Sequence, residues 1–502
     1  MVSRIWTVGL NGIDGYKISC ECDLSGGLPN FDIVGLPDAA VRESRERVRA
    51  AIKNCGFEFP MRRITVNLAP ADTRKEGALY DLPILLAVLT ASGQLECDLR
   101  DRVFLGEVAL NGELRPVNGV LPCAIAAGSS GFTSMFVPAE NAPEAALAKG
   151  PTVYGAATLA ELVAHLRGEA ALTAAVPGED IGPASAYPVD FSEVRGQDNA
   201  KRALEVAAAG GHNLLMSGPP GSGKSMLARR LPTILPEMTL EESLQTTMIH
   251  SIAGLTDRDH PMVTERPFRA PHHTSTAVSL IGGGKDLHPG EISLAHNGVL
   301  FLDEFPEFPR QTIDVLRQPL EDGFVTISRA AGTVMYPCRF MLIAAMNPCR
   351  CGWYGHPSGR CHCTQSQVEA YAGKISGPML DRIDICTNVR EVSFNDLSGR
   401  ASAESSAAIR QRVNAARDIQ RQRFAGTGIL CNAHMPAPAI EKHCALGTQE
   451  QSMIRMAFDK FGMSARSYHK ILKLARTVAD LAGSEEIRCP HIAEALQYRN
   501  NQ

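Results

Sequence analysis

Three short runs of almost unbroken apolar residues, 213–217, 298–302 and 339–346, punctuate the middle of the chain. Without alternation, and at that length, such runs predict strands buried on both faces. Helix-prone stretches separate them, so the pattern predicts a parallel sheet with ligand at the carboxyl ends of its strands. Upstream, strand-like runs at 64–68 and 103–105 are interleaved with helical ones at 39–52 and 82–91. That mixture predicts a separate α/β or α+β unit. Residues 324–336 alternate apolar and polar about a turn at Gly332, which predicts a β-hairpin. Downstream the period becomes helical, at 409–424, 449–460, 467–481 and 490–498. The first of these is rich in Ala, Arg and Gln, all good helix formers. The Ala-, Gly- and Pro-rich stretch 168–190 has little periodicity and reads as a linker. The expected units are therefore 1–167, a linker at 168–190, a core at 191–395 and a helical unit at 396–502.

Composition narrows the class. A chain of 502 residues should make roughly three domains. Its formal charge of −4 supplies no overall basic field, so any nucleic-acid contact must come from local basic surface. The first ten residues lack an apolar signal core, and the most apolar run, 82–91, is far short of a membrane span. A cytoplasmic address is expected. In a reducing compartment the fourteen cysteines should not form a disulfide framework. Cys55, Cys97, Cys123 and Cys338 are scattered and read as small buried apolar residues. Cys20 and Cys22 would share one face of a strand.

The chemistry is concentrated behind the first apolar run. Gly218, Pro219, Pro220, Gly221, Ser222, Gly223, Lys224 and Ser225 spell G-x-x-x-x-G-K-[ST] between a strand and a helix. The glycines let successive N–H groups curl toward anionic oxygens, and the helix presents its positive end to them. Lys224 would reach the β- and γ-phosphates of ATP, and Ser225 would hold Mg²⁺. The second run ends in Asp303 and Glu304. Asp303 would hold the metal, and Glu304 would orient and polarise the attacking water. The third run ends in Asn347, whose amide can donate to the γ-phosphate or hold that water without adding charge.

Cys349, Cys351, Cys361 and Cys363 make C-x-C-x₉-C-x-C. Two close pairs across a short loop suit a tetrahedral Zn²⁺ site, closed by four thiolates and therefore structural. The loop is too polar to order itself by a core, and metal binding could supply that folding energy. Redox thiols or ordinary loop cysteines are the alternatives.

These pieces resemble the AAA+ ATPases, and more closely the magnesium-chelatase-like branch that includes the YifB/ComM-type proteins. The likeness covers nearly the whole chain. It is strongest at the phosphate loop, at Asp303 and Glu304, at Asn347-Pro348-Cys349, in Leu380-Asp381-Arg382-Ile383-Asp384, and in Ser464-Ala465-Arg466-Ser467. The resemblance implies a P-loop parallel sheet carrying a C-terminal helical lid. It also implies a ring, expected to be a hexamer, in which Arg382 acts on the neighbour's nucleotide and Arg466 is the lid arginine that touches the γ-phosphate. A surface ion pair to Asp381 or Asp384 is the other reading of Arg382, and a solvated helix arginine that of Arg466. In related ATPases, insertions between the first two strands and a later hairpin line a central pore. Lys285, in a glycine-rich loop that reads as mobile, and Arg329 are then candidate DNA contacts, with solvated loop charges as the alternative. His272 and His273 fall in a segment typical of this branch, where structural hydrogen bonding is expected.

The first unit resembles the Lon-protease-like domain at the start of such proteins, through Arg74-Lys75-Glu76-Gly77 and the stretch 105–113. A Lon-type protease needs a serine nucleophile and a lysine base. Ile84 and Cys123 stand at the matching positions, so a non-proteolytic platform is expected. The resemblance implies an ATP-driven DNA motor, a helicase or branch-migration enzyme in recombination and uptake of transforming DNA. A metal-insertion motor, a protein-remodelling chaperone and a nucleotide-gated scaffold are the rivals.

Overall fold

Successive residues in the apolar runs sort to opposite sides of one sheet. In the computed structural model, which describes residues 2–176, 187–284, 287–329, 332–392 and 403–499, the three runs are the strands Leu214–Ser217, Val299–Leu302 and Met341–Met346. They lie in a five-stranded sheet in the order Phe268–Arg269, Val299–Leu302, Met341–Met346, Leu214–Ser217, Ile385–Asn388. Every pairing in it is parallel. Leu214, Met216, Val299, Phe301, Ile343 and Ala345 face one core, which the C-terminal helices complete through Val413, Ile471, Leu474 and Ile492. Leu215, Leu300, Leu302, Leu342 and Ala344 face a second core, closed by Leu280, Phe305, Val325 and Ile327. Burial on both faces is why these strands show no alternation.

The helical unit comprises Ser406–Arg423, Ala437–His443, Thr448–Phe461, Ala465–Leu481 and Cys489–Gln497. Ser405 and Ser464 cap two of these helices by accepting from Ala408 N–H and Ser467 N–H. The lid is fastened to the core by buried polar bonds. His212 Nε2 meets Thr477 Oγ1 at 2.8 Å, and Lys470 Nζ donates to Ile383 O at 2.9 Å.

The N-terminal unit holds a mixed seven-stranded sheet. Ser3–Asn11, Asp14–Ser25 and Arg63–Ala69 pair antiparallel at its centre, and the remaining strands pair parallel. Cys20 and Cys22 are both buried on one face of Asp14–Ser25. The helix Asp81–Ala91 is buried almost all round and anchored at its start, where Arg47 donates to both Asp81 oxygens at 2.6 and 2.9 Å. Ile84 and Cys123 are both buried apolar packing. Ser92 caps the helix end and donates to Leu89 O.

This unit sits directly on the nucleotide-binding core. The helix Leu240–Ile252 ends against it, where Gly119 N–H donates to Ser251 O at 3.2 Å. Glu144 Oε1 accepts from Ser251 Oγ at 2.5 Å and from Leu121 N–H at 2.9 Å. Burial pushes the Glu144 carboxyl upward, and those hydrogen bonds oppose the shift. Of the expected linker, residues 177–186 lie outside the described residues. Its first part bridges Ala174 to Tyr154. At its end Asp190 accepts from Ser406 N–H, so it belongs to the core–lid junction.

The hairpin is present as Phe324–Arg329 and Gly332–Pro337. Gly332 pairs with Arg329 and begins the second strand instead of forming the turn, and residues 330–331 lie outside the described residues. The described part of the glycine-rich loop is a small antiparallel ribbon, Gly282–Gly283 with His288–Pro289. Lys285 lies outside the described residues. Among the described residues no helix is long and apolar enough to cross a membrane.

Candidate active site

At the carboxyl end of Leu214–Ser217 the chain turns so tightly that side chains are excluded. A Cβ on Gly218 would stand 2.2 Å from Val389 O. Gly223, with φ of +87°, delivers the chain into the helix Lys224–Arg230. The loop, Asp303, Glu304 and Asn347 line one cleft of about 380 Å³. Lys224 Nζ donates to Gly218 O at 2.8 Å, Pro219 O at 2.9 Å and Asn347 Oδ1 at 3.2 Å. Burial lowers the Lys224 ammonium, and the charges of Asp303 and Glu304 oppose that shift. Its carbonyl bonds hold the loop's shape and place a cation where phosphate oxygens would lie. Ser225 Oγ donates to Asp303 Oδ2 at 2.6 Å, bringing together a hydroxyl and a carboxylate suited to one hard cation. The donor set and the glycine cradle fit a magnesium nucleotide.

Glu304 adopts left-handed backbone, φ 51° and ψ 44°. For a non-glycine residue that conformation costs roughly 1–2 kcal/mol, and it turns the carboxylate out of the strand. Its Oε2 lies 3.2 Å from His273 Nδ1. The structure thus joins the phosphate loop, Asp303, Glu304 and Asn347. It does not bring Arg382 or Arg466 to the same cleft. Arg382 is held within its own chain by Glu321, by Arg317 O at 3.1 Å and by Pro378 O at 2.6 Å. Neither Asp381 nor Asp384 is its partner in these contacts. Arg466 is largely exposed and lies 3.9 Å from Asp381. Arg329 is exposed on the hairpin, with its Nη1 3.5 Å from Ser328 O.

Two contributors take places that sequence reading did not assign: Gln197 was not singled out, and for His273 only structural hydrogen bonding was expected. Gln197, itself left-handed at φ 64°, donates to Ser222 O at 3.1 Å and ties the loop to the segment before it. His273 comes from a loop after the edge strand Phe268–Arg269, far along the chain from Glu304. Nothing in the spacing of either residue marks it.

The four clustered cysteines converge: their sulfurs all lie within 4.8 Å of one another. Cys349 Sγ is 3.3 Å from Cys351 and 3.8 Å from Cys361, and Cys351 is 3.7 Å from Cys361. A tetrahedral zinc thiolate site has S···S edges of about 3.8 Å, so the donor set fits that ion. The Trp353 N–H, then Cys349, draw the Cys351 thiol down to about 6. His356 is turned away onto Ser358 and Glu391. The loop leans on the phosphate loop, because a Cβ on Gly352 would meet Pro220 Cδ at 2.6 Å.

Parallel strand order, glycine cradle and paired carboxylates define an AAA+ P-loop protein of α/β architecture with a helical lid. Comparisons agree over all its parts. The family models described as "Magnesium chelatase, subunit ChlI", "Subunit ChlI of Mg-chelatase" and "Magnesium chelatase, subunit ChlI C-terminal" match residues 190–397, 20–141 and 403–499. Competence protein ComM of Haemophilus influenzae is 44% identical over 493 residues, 97% of this chain and 95% of that protein. Uncharacterized protein YifB of Escherichia coli is 42% identical over 500 residues, 99% of this chain and 97% of that protein. The magnesium-chelatase 38 kDa subunit of Cereibacter sphaeroides is 26% identical over 180 residues, 32% of this chain and 53% of that protein. The chain belongs to the YifB/ComM-type branch of the magnesium-chelatase-like AAA+ family. An ATPase core is what that membership implies.

Proposed function

We propose that the chain is an ATP-driven ring motor that moves along or remodels DNA, as a helicase or branch-migration enzyme in recombination and natural transformation. One observation carries the ATPase half of the reading. Lys224, Ser225, Asp303, Glu304 and Asn347 come from three neighbouring strand ends and line a single cleft. Lys224 and the loop N–H groups grip the triphosphate. Ser225 and Asp303 hold Mg²⁺, which neutralises charge on the phosphate oxygens. Glu304 accepts from the attacking water, Asn347 steadies it, and Arg382 of an adjacent protomer supplies the last cation, with Arg466 on the lid side. This sharing calls for a closed ring of protomers, and the family resemblance implies that the ring is a hexamer. The proposed units are the Lon-protease-like platform 1–167, the linker 168–190, the core 191–395 with zinc on its four cysteines, and the lid 396–502. Its setting is the cytoplasm.

The DNA half rests on likeness to a protein named for competence, spanning 97% of this chain, and on the exposed hairpin that carries Arg329. A metal-insertion motor shares the core, but its named relative covers only 32% of the chain. The test is ATP turnover and strand displacement on forked and four-way DNA for wild type, Lys224→Ala and Glu304→Gln. DNA-stimulated turnover with unwinding, lost in both variants, is expected. No response to DNA at low salt, where phosphate contacts are strongest, would reject the motor.

A further inference from the structure

At the amino ends of Val299–Leu302 and Met341–Met346, away from the nucleotide, core and lid enclose a cavity of about 400 Å³ that the hydrolytic scheme leaves unused. Gly298 and Met341 line it from the core, and Arg417, Cys431 and His434 from the lid. Its chemistry sits on one turn. Cys431 opens the short helix Asn432–His434, and in so tight a helix residues three apart stack one above the other. Cys431 Sγ accordingly lies 3.3 Å from His434 Nδ1. The turn is fixed from beneath. Asn432 N–H donates to Gln420 Oε1 at 2.9 Å, the Asn432 amide donates to Asp480 Oδ2 at 2.8 Å, and Lys473 Nζ donates to Ala433 O at 2.8 Å. Thiol and imidazole are thus held together by the fold.

The surroundings favour a thiolate. A Cβ on Gly211 would stand 2.6 Å from Cys431 Sγ and 3.4 Å from Arg417 Nη2, so sulfur and guanidinium converge on one glycine. Burial pushes the Cys431 thiol up, but the charges of His434 and Arg417 outweigh it and hold the thiol at about 5. The charge of Cys431 in turn raises the His434 imidazole. A cysteine that serves only as packing behaves otherwise: burial pushes the Cys338 thiol up to about 12. A thiolate beside an imidazolium, at the wall of a cavity, is a nucleophile.

Gly211 closes one side of the sulfur, so a group bonded to it must extend into the cavity. Arg339 and Arg421 line that space together with Glu237 and Glu241, a mixture of signs that suits a zwitterionic molecule. We propose that Cys431 is a site of reversible oxidative modification, which reacts with a peroxide and then captures a low-molecular-weight thiol bearing carboxylates and an ammonium group. In the first step the thiolate attacks one peroxide oxygen. The S–O bond forms, the O–O bond breaks, and the departing hydroxide takes the His434 proton to leave as water. The sulfur is oxidised by two electrons to a sulfenic acid and the peroxide is reduced. In the second step the incoming thiol forms an S–S bond to Cys431, the S–O bond breaks, and the thiol proton leaves with the hydroxide as a second water. Among the described residues that line the cavity Cys431 is the one cysteine, so the resolving thiol comes from solution.

The test uses the full-length, metal-containing protein as wild type, Cys431→Ser and His434→Gln. Each is treated with iodoacetamide at about pH 6, well below the usual thiol value, and labelling of every cysteine is followed by peptide mass spectrometry. Cys431 should react at least about tenfold faster than Cys338, and His434→Gln, which keeps polar bulk without the charge, should remove about tenfold of that rate. Hydrogen peroxide followed by reduced glutathione should then add one glutathionyl group to the Cys431 peptide. Dithiothreitol should remove it, and Cys431→Ser should lack it. His434→Gln retains the thiol, so it keeps the test open if Cys431→Ser fails to fold. A Cys431 that reacts no faster than Cys338, an unchanged rate in His434→Gln, or glutathione found only on other cysteines overturns the proposal.

Discussion

Asp384 shows how one residue can serve two junctions at once. It follows Arg382 by two positions and accepts from Asn213 N–H at 3.2 Å, at the entry to the strand that feeds the phosphate loop. Burial pushes its carboxyl up, but His212, Lys470 and the Asn213 N–H outweigh that and hold it at about 2. Burial in turn lowers Lys470 to about 8, against the charge of Asp384. A carboxyl held below its unfolded value near 3.9 stabilises the fold above that pH and loses the contribution as pH falls toward 2. Asp384→Asn should therefore destabilise the core by about 2 kcal/mol at pH 6. The deficit should shrink between pH 4 and pH 2, followed by urea unfolding of both proteins. A deficit constant with pH would deny the charge its role. At this scale the sequence discloses what is contiguous. The eight residues of the phosphate loop declare their chemistry because a single turn needs all of them. Gln197 and His273 reach the site through folding alone, and no local spacing could announce them.

Elements were legible where burial dictated their pattern. The three apolar runs became central strands within one or two residues of their expected ends, because both faces of the sheet are covered. The helix Leu240–Ile252 was missed, although Thr239 and Glu242 form a capping box that marks its start. Its buried face is itself mostly polar, with Ser243, Thr246, Thr247 and Ser251 beside Ile249, and that hides the period. The hairpin was found but its turn was displaced, since Gly332 suits an extended position as well as a turn. The cysteine loop is the element most open to test. Four sulfurs converge in it, and if it holds zinc as proposed, its order should depend on that ion. Cys361→Ser should reduce bound zinc from one per chain to well below half, measured by atomic emission on purified protein. Because Gly352 abuts Pro220, the same change should weaken nucleotide binding about tenfold. A full complement of metal would refute the assignment.

At the scale of the whole molecule, the unresolved partnership is between protomers. Within one chain the cleft carries Lys224 and acidic groups, while Arg382 is occupied by Glu321 and backbone carbonyls. Among the described residues that line the cleft Lys224 is the one cation, whereas stabilising charge on a transferring phosphoryl group draws on a second. The role of Arg382 is what the resemblance implies; to act on a neighbour's nucleotide it would have to give up its contacts with Glu321, Arg317 O and Pro378 O. Arg382→Ala and Lys224→Ala should each lower ATP turnover by about three orders of magnitude. The two defects would then lie on opposite sides of a shared site. Random co-assembly in equal amounts should rebuild an intact site at about a quarter of interfaces, where a protomer with Lys224 meets one with Arg382. Turnover should recover toward that fraction when the variants are mixed under conditions that allow rings to exchange. If the mixture stays as inactive as its parts while wild-type subunits exchange freely, Arg382 serves its own chain, and the cation that completes the site must come from elsewhere.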